Sequence, residues 1–163
     1  MILYNILKYK GGFLMKSLEI ERKFLIHTLP AQLETYPFYE IEQGYLCTEP
    51  VVRIRRQDDS YYLTYKSKGL MVREEYNLSL TKEAYEHLKA KIDGHLICKR
   101  RYKIPYQSYT IELDIFLAPQ KDLWLAEVEF SSKSDALSFI APDWFGEEVT
   151  HSSRYHNSNL SQL

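Results

Sequence analysis

Carboxylates recur in this sequence at every second residue. The pairs are Glu19 with Glu21, Glu112 with Asp114, and Glu127 with Glu129. Side chains two apart on a β-strand lie on the same face, so each pair would bring two negative charges together. Such an arrangement is costly unless a cation lies between the carboxylates, and hard ions such as Mg²⁺ or Mn²⁺ prefer oxygen ligands. The spacing therefore indicates metal binding.

Cationic side chains also fall on single strand faces, mostly on other segments; Lys23 shares its face with Glu19 and Glu21, and Arg73 shares its face with Glu75. The residues that share such faces are Lys23, Arg53, Arg55, Lys66, Arg73, Lys99 and Arg101. Lysine and arginine hold phosphate oxygens through charge-assisted hydrogen bonds. A solvated outer sheet face would also be polar on one side, but it usually mixes the signs of its charges, whereas these segments separate them. A cationic wall that faces a carboxylate wall predicts a polyanion bound together with metal ions.

The elements that must position these charges are predominantly strands. Period-two alternation predicts about eight of them, at residues 18–26, 39–46, 51–56, 61–67, 72–80, 97–104, 109–116 and 124–130. Two helices are predicted, one over 81–92 and one over 132–140, and a weaker one over 30–36. In the first helix Thr81 is the predicted N-cap, and the apolar stripe is Ala84, Tyr85, Leu88 and Ile92. In the second helix the predicted stripe is Ala136, Leu137 and Ile140.

The predicted fold is mainly β, of the α+β kind. It is a closed eight-stranded antiparallel β-barrel whose lumen is polar and which a few helices flank. A barrel of about eight strands has an interior just wide enough for side chains or one small ligand. Apolar strand faces would then lie outside, and the helices would cover them.

Length and composition limit the alternatives. With 163 residues and a net charge of -1, we expect one domain, and we do not expect binding to nucleic acid or to an anionic membrane. Cys47 and Cys98 show no metal-ligand or disulfide spacing, which favours a cytoplasmic protein. We interpret residues 1–16 as an N-terminal extension with a native start at Met15, and residues 17–163 as the domain. A homodimer is left open.

The segment Glu19-x-Glu21-x-Lys23 resembles the ExExK signature of the CYTH superfamily, the triphosphate tunnel metalloenzymes. The resemblance continues in order through IEQGYL, VRIR, LTYKS, KRRY, ELD, EVEF, WFGEEVT and RYHN and so covers residues 17–157. The sequence looks most like the short bacterial branch, whose members hydrolyse inorganic triphosphate.

The resemblance implies a tunnel that threads a triphosphate and depends on Mg²⁺ or Mn²⁺. Its implied metal ligands are Glu19, Glu21, Glu127 and Glu129, with Glu112 and Asp114 as further acidic members. Its implied phosphate-binding residues are Lys23, Arg53, Arg55, Lys66, Arg73, Lys99 and Arg101. Arg154 and Glu75 also match family positions, and Arg154 is included with the phosphate-binding set.

The hypothesis is metal-assisted hydrolysis of tripolyphosphate to pyrophosphate and phosphate. Lys99 lies beside Arg101 and should have a lowered pKa, so Lys99 and Tyr45 are the predicted catalytic residues, able to share a proton. Tyr45 is equally well explained as a packed sheet residue. The alternatives are an adenylate cyclase or a thiamine or nucleoside triphosphatase of the same superfamily, or a non-catalytic protein that binds polyphosphate or nucleotide.

Overall fold

The computed structural model describes the backbone of residues 7–9, 12–68 and 72–163 and the side chains of residues 20–68 and 74–163. The side chains of Glu19 and Arg73, two of the predicted site residues, lie outside the described residues. The predicted N-terminal extension, residues 1–16, has no described side chain, so its assignment stays a prediction.

The eight predicted strands are confirmed, and two short ones were not predicted. The strands of the described chain are β1 (Leu7–Tyr9), β2 (Gly12–Ile26), β3 (Phe38–Thr48), β4 (Val51–Gln57), β5 (Ser60–Lys66), β6 (Val72–Leu80), β7 (Asp93–Tyr106), β8 (Tyr109–Ala118), β9 (Trp124–Glu129) and β10 (Phe145–Glu148). The additional strands are β1 and β10, whose 3 and 4 residues are too short to show a clear alternation.

Strands β2 to β9 form a ring of antiparallel pairs. The order is β2-β6-β5-β4-β3-β7-β8-β9, and β9 pairs with β2 again. Strand β2 makes this possible because its Met15–Ile20 half pairs with β6 and its Glu21–Leu25 half pairs with β9. Short β10 pairs with the end of β2. The predicted eight-stranded barrel is therefore present as a continuous ring of pairings.

Helices α1 (Lys82–Lys89) and α2 (Lys133–Ser138) occupy the predicted places but are shorter than predicted, and a 3₁₀ turn lies at Leu33–Thr35. Helix α3 (Asn157–Leu160) and the 3₁₀ turn at Ser153–Tyr155 were not predicted. The Thr81 side chain accepts a hydrogen bond from the Ala84 amide, as expected of an N-cap. The segment 30–36 contains only a 3₁₀ turn, because Tyr36 is already extended.

The predicted apolar stripe of the second helix is wrong at two of its three positions. Leu137 and Ile140 are 79% and 74% exposed, whereas Ala136 is buried. Helix α2 ends at Ser138, so Ile140 is out of helical phase and Phe139 turns inward in an extended conformation. The Phe139 ring packs among aromatic rings that include Phe130 and Tyr109.

The barrel carries its main apolar core on its outer face. Fully buried residues of this core are Ile111, Leu113, Ala126 and Val128, which alternate with the charged residues of β8 and β9. Helix α2 packs on this side, and α1 covers β4 and β5 with the buried Tyr85. The prediction of charges inside and apolar residues outside is confirmed. In the described part of the chain no helix has the length and apolar character needed to span a bilayer.

Candidate functional site

A cavity of about 230 Å³ lies inside the ring. Its charged lining consists of Glu21, Lys23, Arg53, Arg55, Lys66, Glu75, Lys99, Arg101, Lys103, Glu112, Glu127 and Glu129. Gln43, Tyr45, Val51, Gln57, His156, Asn157 and Ser158 complete it. Among the described residues, seven cations and five carboxylates face this space. The cavity is therefore suited to an anion.

One side of the cavity is a network that we call the β7–β8 clamp, formed by Lys99 and Arg101 on β7 with Glu112 and Asp114 on β8. Arg101 Nε and Nη2 donate to the two oxygens of Asp114, both at 2.6 Å. Lys99 Nζ donates to the same carboxylate at 2.5 Å. Asp114 is only 1% exposed. Both oxygens of Asp114 accept hydrogen bonds from Lys99 or Arg101, and the metal-side role expected from the sequence stays a prediction.

Ion pairs connect the β7–β8 clamp to β9 and β2. Arg101 Nη2 donates to Glu127 Oε2 at 2.6 Å, and Lys23 Nζ lies 2.8 Å from Glu127 Oε1. Glu112 accepts from both Arg101 and Lys103. Burial raises the pKa of Glu127, but Lys23 and Arg101 outweigh it and hold that pKa well below its usual range. Glu127 therefore stays ionised and keeps Lys23 and Arg101 in place.

Lys99 is the most deeply buried cation of the site. Burial lowers its pKa to about 8, an effect that neighbouring Asp114 opposes and Arg101 reinforces. The sequence attributed the lowered pKa to neighbouring cations, but burial is the larger cause. The ammonium lies 5.2 Å from the centre of the Phe116 ring, in an apolar end of the barrel. Lys99 can therefore lose or hold a proton near neutral pH.

The opposite side carries two arginines, Arg53 and Arg55, which we call the β4 arginine pair. Among the described side chains, the Nε atoms of Arg53, Arg55 and Arg56 are buried without a hydrogen-bond partner, and of these three only Arg53 and Arg55 line the cavity. Arg53 Nη2 donates to Thr64 Oγ1 at 3.2 Å. Burial, followed by repulsion from Arg53 and Arg101, lowers the pKa of Arg55 to about 10. Buried donors without partners are costly, so this pair is prepared for an anionic ligand.

Beside this pair, Lys66 and Glu75 form an ion pair of 2.8 Å. Glu75 also accepts from Asn77 Nδ2 at 2.5 Å. Burial raises the pKa of Glu75, but Lys66, Arg53 and the hydrogen bonds together lower it to about 2. Glu75 therefore stays charged and holds Lys66 towards the cavity.

The carboxylates of β2 and β9 fit a divalent cation. Glu21 and Glu129 are directly opposite in the register of the two strands, and both line the cavity. Like charges opposite one another destabilise a sheet, and a hard cation between two carboxylates removes that cost. Within the described residues no group of three or more His, Cys, Asp or Glu side chains is already arranged to hold a metal. The fit therefore rests on this pair of oxygen donors.

Two predicted site residues lie apart from the charged centre. Tyr45 lines the cavity but packs in the apolar end cluster with Ile97 and Phe116, and its hydroxyl accepts from Gln43 Nε2 at 3.2 Å. Arg154 is exposed in an outer groove with the Arg22 and Glu148 side chains, and it does not belong to the cavity lining.

Several lining residues were not predicted. Lys103 continues the period-two series of Lys99 and Arg101, so the alternation itself contained the signal. Gln43 and Gln57 are uncharged, so the pattern of charges does not indicate them. His156 enters the cavity with Asn157 and Ser158 because the chain returns to the barrel after β10. The segment after β10 has no periodic pattern of residues from which this return could be predicted.

Comparisons with known proteins cover almost the whole barrel. The CYTH domain model matches residues 17–163. An inorganic triphosphatase of Nitrosomonas europaea is 41% identical over 149 residues, which is 88% of this chain and 96% of that protein. Another from Acetivibrio thermocellus is 36% identical over 146 residues, or 87% and 92% of the two chains. The crystal structure of an inorganic triphosphatase superposes with a TM-score of 0.68 at 37% identity and covers 89% and 95%.

Proposed function

The chain belongs to the CYTH domain family, and from this premise we propose that it is an inorganic triphosphatase, which hydrolyses tripolyphosphate to pyrophosphate and phosphate inside the barrel. Relatives named inorganic triphosphatase match at 41% and 36% identity over most of the chain. The observation that carries the proposal is the β4 arginine pair, whose buried Nε atoms lack partners among the described residues. A compact polyanion would supply the missing acceptors.

The cations of the chain would bind and orient the phosphates. Arg53 and Arg55 would hold phosphate oxygens from one wall, while the β7–β8 clamp presents Arg101 and Lys99 from the other. Such preorganised donors stabilise the charge that develops in phosphoryl transfer. Lys23 and Lys66 line the same cavity and are held by Glu127 and Glu75. Catalysis would thus depend mostly on positioning and charge.

We assign Mg²⁺ or Mn²⁺ to the Glu21 and Glu129 carboxylates, with Glu19 and Glu127 as further candidate ligands. When bound there, the ion would neutralise phosphate oxygens and acidify a water molecule. The protein contributes the spacing of the carboxylates and the cations around them. Glu112 is engaged by Arg101 and Lys103, and Asp114 by Arg101 and Lys99. We therefore propose a cation-orienting role for these two acidic residues.

The catalytic assignment of Lys99 and Tyr45 stays a proposal. Lys99 has a pKa lowered to about 8, which suits proton transfer near neutral pH. Tyr45 accepts a hydrogen bond from Gln43, which is compatible with its hydroxyl proton pointing away from that residue. Comparing Lys99→Ala with Tyr45→Phe in kcat and KM separates the two roles; unchanged kcat in both variants removes the pair from the mechanism.

The deciding assay is phosphate release from a panel of substrates with Mg²⁺ or Mn²⁺. Tripolyphosphate, ATP and thiamine triphosphate are compared by phosphorus NMR, which identifies the products. We expect tripolyphosphate to give the highest kcat/KM and to yield pyrophosphate and phosphate in equal amounts. Faster formation of cyclic AMP from ATP would overturn the proposal in favour of a cyclase. Binding of tripolyphosphate without turnover would instead indicate a non-catalytic protein.

We also propose a cytoplasmic protein that binds neither nucleic acid nor membranes. The net charge of -1 and the free thiols of Cys47 and Cys98 support this assignment. Analytical ultracentrifugation of the purified chain would test whether it forms a homodimer.

A further inference from the structure

The second half of β2 is bound along both of its edges. Strand β9 pairs with it from Glu21 to Leu25. On the opposite edge the Lys23 amide donates to Thr150 Oγ1 at 3.0 Å, and the Val149 amide donates to the Lys23 carbonyl at 2.8 Å. The β6 pairing on β2 reaches only to Ile20 in the described register. Residues after β10 therefore take over this edge where the cavity side chains begin.

The side chain of Arg22 ties the same region together from outside the barrel. Arg22 alternates with Glu21 and Lys23, so its side chain points away from the cavity. Its Nε and Nη2 donate to the two oxygens of Glu148 at 2.9 and 2.6 Å. Its Nη1 donates to the carbonyls of Ala136 and Phe139 at the end of α2, at 2.9 and 3.1 Å. One guanidinium thus joins β2, β10 and α2.

Thr150 connects the two sets of bonds. Its hydroxyl donates to Glu148 Oε1 at 2.6 Å and accepts from the Lys23 amide. A continuous chain of hydrogen bonds therefore runs from α2 through Arg22, Glu148 and Thr150 to the backbone of Lys23. We call these three residues the outer clasp.

The clasp acts where the cavity carries opposed like charges. Glu21 and Glu129 are directly opposite each other, and Lys23 is opposite Glu127 in the next pair of side chains facing the cavity. Glu21 Oε1 lies 3.9 Å from Lys23 Nζ, and the clasp holds the β2 backbone at Lys23 from the edge opposite β9. The clasp thereby limits how far the Glu21 carboxylate can move from the Glu129 carboxylate opposite it.

We infer that Arg22, Glu148 and Thr150 are positioning residues, which set the spacing of Glu21 and Lys23 and so the affinity of the cavity for a divalent cation. The inference rests on the proposed function, because that function assigns the cation to Glu21 and Glu129. None of the three clasp residues belongs to the cavity lining. They act through the backbone of β2, as outer-shell partners of ligands do in metal sites.

The test measures binding of Mn²⁺ to the purified protein without substrate, from the electron paramagnetic resonance signal of the free ion. Thr150→Val removes the acceptor of the Lys23 amide, and Thr150→Ser keeps a hydroxyl. We expect Thr150→Val to raise the Mn²⁺ dissociation constant about tenfold, the low end of the effects of outer-shell variants. Thr150→Ser should restore most of the affinity, which a merely structural role would not require.

A matched control is Arg100→Met, compared with Arg22→Met. Arg100 is also an outer-face arginine between two cavity residues, binds Glu40 at 2.7 Å and lies 4.5 Å from the Phe38 ring centre, but it joins only two strands. We expect Arg22→Met to weaken Mn²⁺ binding and Arg100→Met to leave it unchanged. Should Arg22→Met fail to fold, the two Thr150 variants still decide.

Two results would overturn the clasp: no Mn²⁺ uptake by the parent chain, or equal Mn²⁺ affinity in Thr150→Val, Thr150→Ser and the parent. The proposed function fails separately. A parent chain that binds Mn²⁺ but releases no phosphate from tripolyphosphate would remove the triphosphatase activity, while the comparison of the Thr150 variants would still report on positioning.

Discussion

Arg53 and Arg55 of the β4 arginine pair, like Lys99 and Arg101 of the β7–β8 clamp, are cations two residues apart on one strand that line the cavity, yet the two sets differ in their neighbours. Strand β8 places Asp114 opposite Arg101 and Glu112 opposite Lys103. The strands beside β4 place Thr64 and Tyr45 opposite Arg53. The clamp is therefore neutralised by folding itself. The arginine pair retains charge and donors that the described part of the chain does not satisfy.

This difference assigns different tasks to similar residues. A cation that is fixed by buried carboxylates contributes orientation, and its loss should first affect stability. A buried cation without such partners costs stability and should be needed first for binding. Each variant below is chosen to separate these two quantities.

The largest effect is expected for Asp114→Asn, which leaves Arg101 and Lys99 without their shared carboxylate. Breaking a buried ion pair by removing one partner costs about 3–5 kcal/mol. For a chain of this size that corresponds to a fall in Tm of about 10 °C. The measurement is thermal unfolding followed by circular dichroism.

Glu49→Gln is the matched control for this variant, because Glu49 and Lys68 form an exposed pair of 2.6 Å. Exposed pairs contribute about 0–1 kcal/mol, so its Tm should barely change. Equal Tm values for Asp114→Asn and Glu49→Gln would mean that the clamp does not stabilise the barrel.

Arg55→Met should give the opposite combination. We expect kcat/KM for tripolyphosphate to fall about 100-fold, the loss typical of one preorganised donor to a transition state. The free energy of unfolding should stay equal or increase, because a buried guanidinium with a pKa lowered to about 10 is removed. Steady-state kinetics and urea unfolding measure the two effects.

Arg56→Met controls for loss of an arginine on β4, since Arg56 has the opposite orientation on the strand and does not line the cavity. Its kcat/KM should stay within about twofold of the parent, as is usual for substitutions away from a site. A large loss of stability in Arg55→Met would show that the arginine pair has partners of its own and would remove the contrast.

The sequence predicts the strands and the cations on their inner faces, but it does not predict which residues lie beside those cations. Alternation on each strand sufficed to predict eight strands and to place Arg53, Arg55, Lys99 and Arg101 on a polar inner face. It does not tell which strands become adjacent in the ring. The prediction of Asp114 beside a metal could therefore not include its hydrogen bonds to Lys99 and Arg101, which follow from the adjacency of β7 and β8. The return of the chain at His156 is equally invisible to periodicity.

A smaller effect is expected when a product fills the cavity. Pyrophosphate at about 100 times its dissociation constant should stabilise the parent by about 2.7 kcal/mol, because only the folded chain binds it. The same concentration of pyrophosphate should raise the Tm of Arg55→Met much less, because this variant lacks the Arg55 guanidinium that would bind it. Differential scanning fluorimetry without divalent metal measures both shifts. Equal shifts in the two proteins would show that pyrophosphate binds elsewhere.

The smallest effect is a pH dependence that belongs to the clamp. Burial lowers the pKa of Lys99 to about 8 in the folded chain, against 10.5 for an ordinary lysine. Between these values the unfolded chain binds more protons, so this group's contribution to the free energy of unfolding increases with pH across that window. Over the same window Lys99 loses the charge that attracts phosphate. We therefore expect kcat/KM to decline a few-fold above about pH 8, while kcat changes less, since kcat/KM reports groups of the free enzyme.

Lys99→Arg should move the decline to higher pH because a guanidinium keeps its proton. Superimposable pH profiles of kcat/KM for the parent and Lys99→Arg would mean that the buried ammonium does not titrate in this range and that the clamp is a fixed charge, like the arginines opposite it.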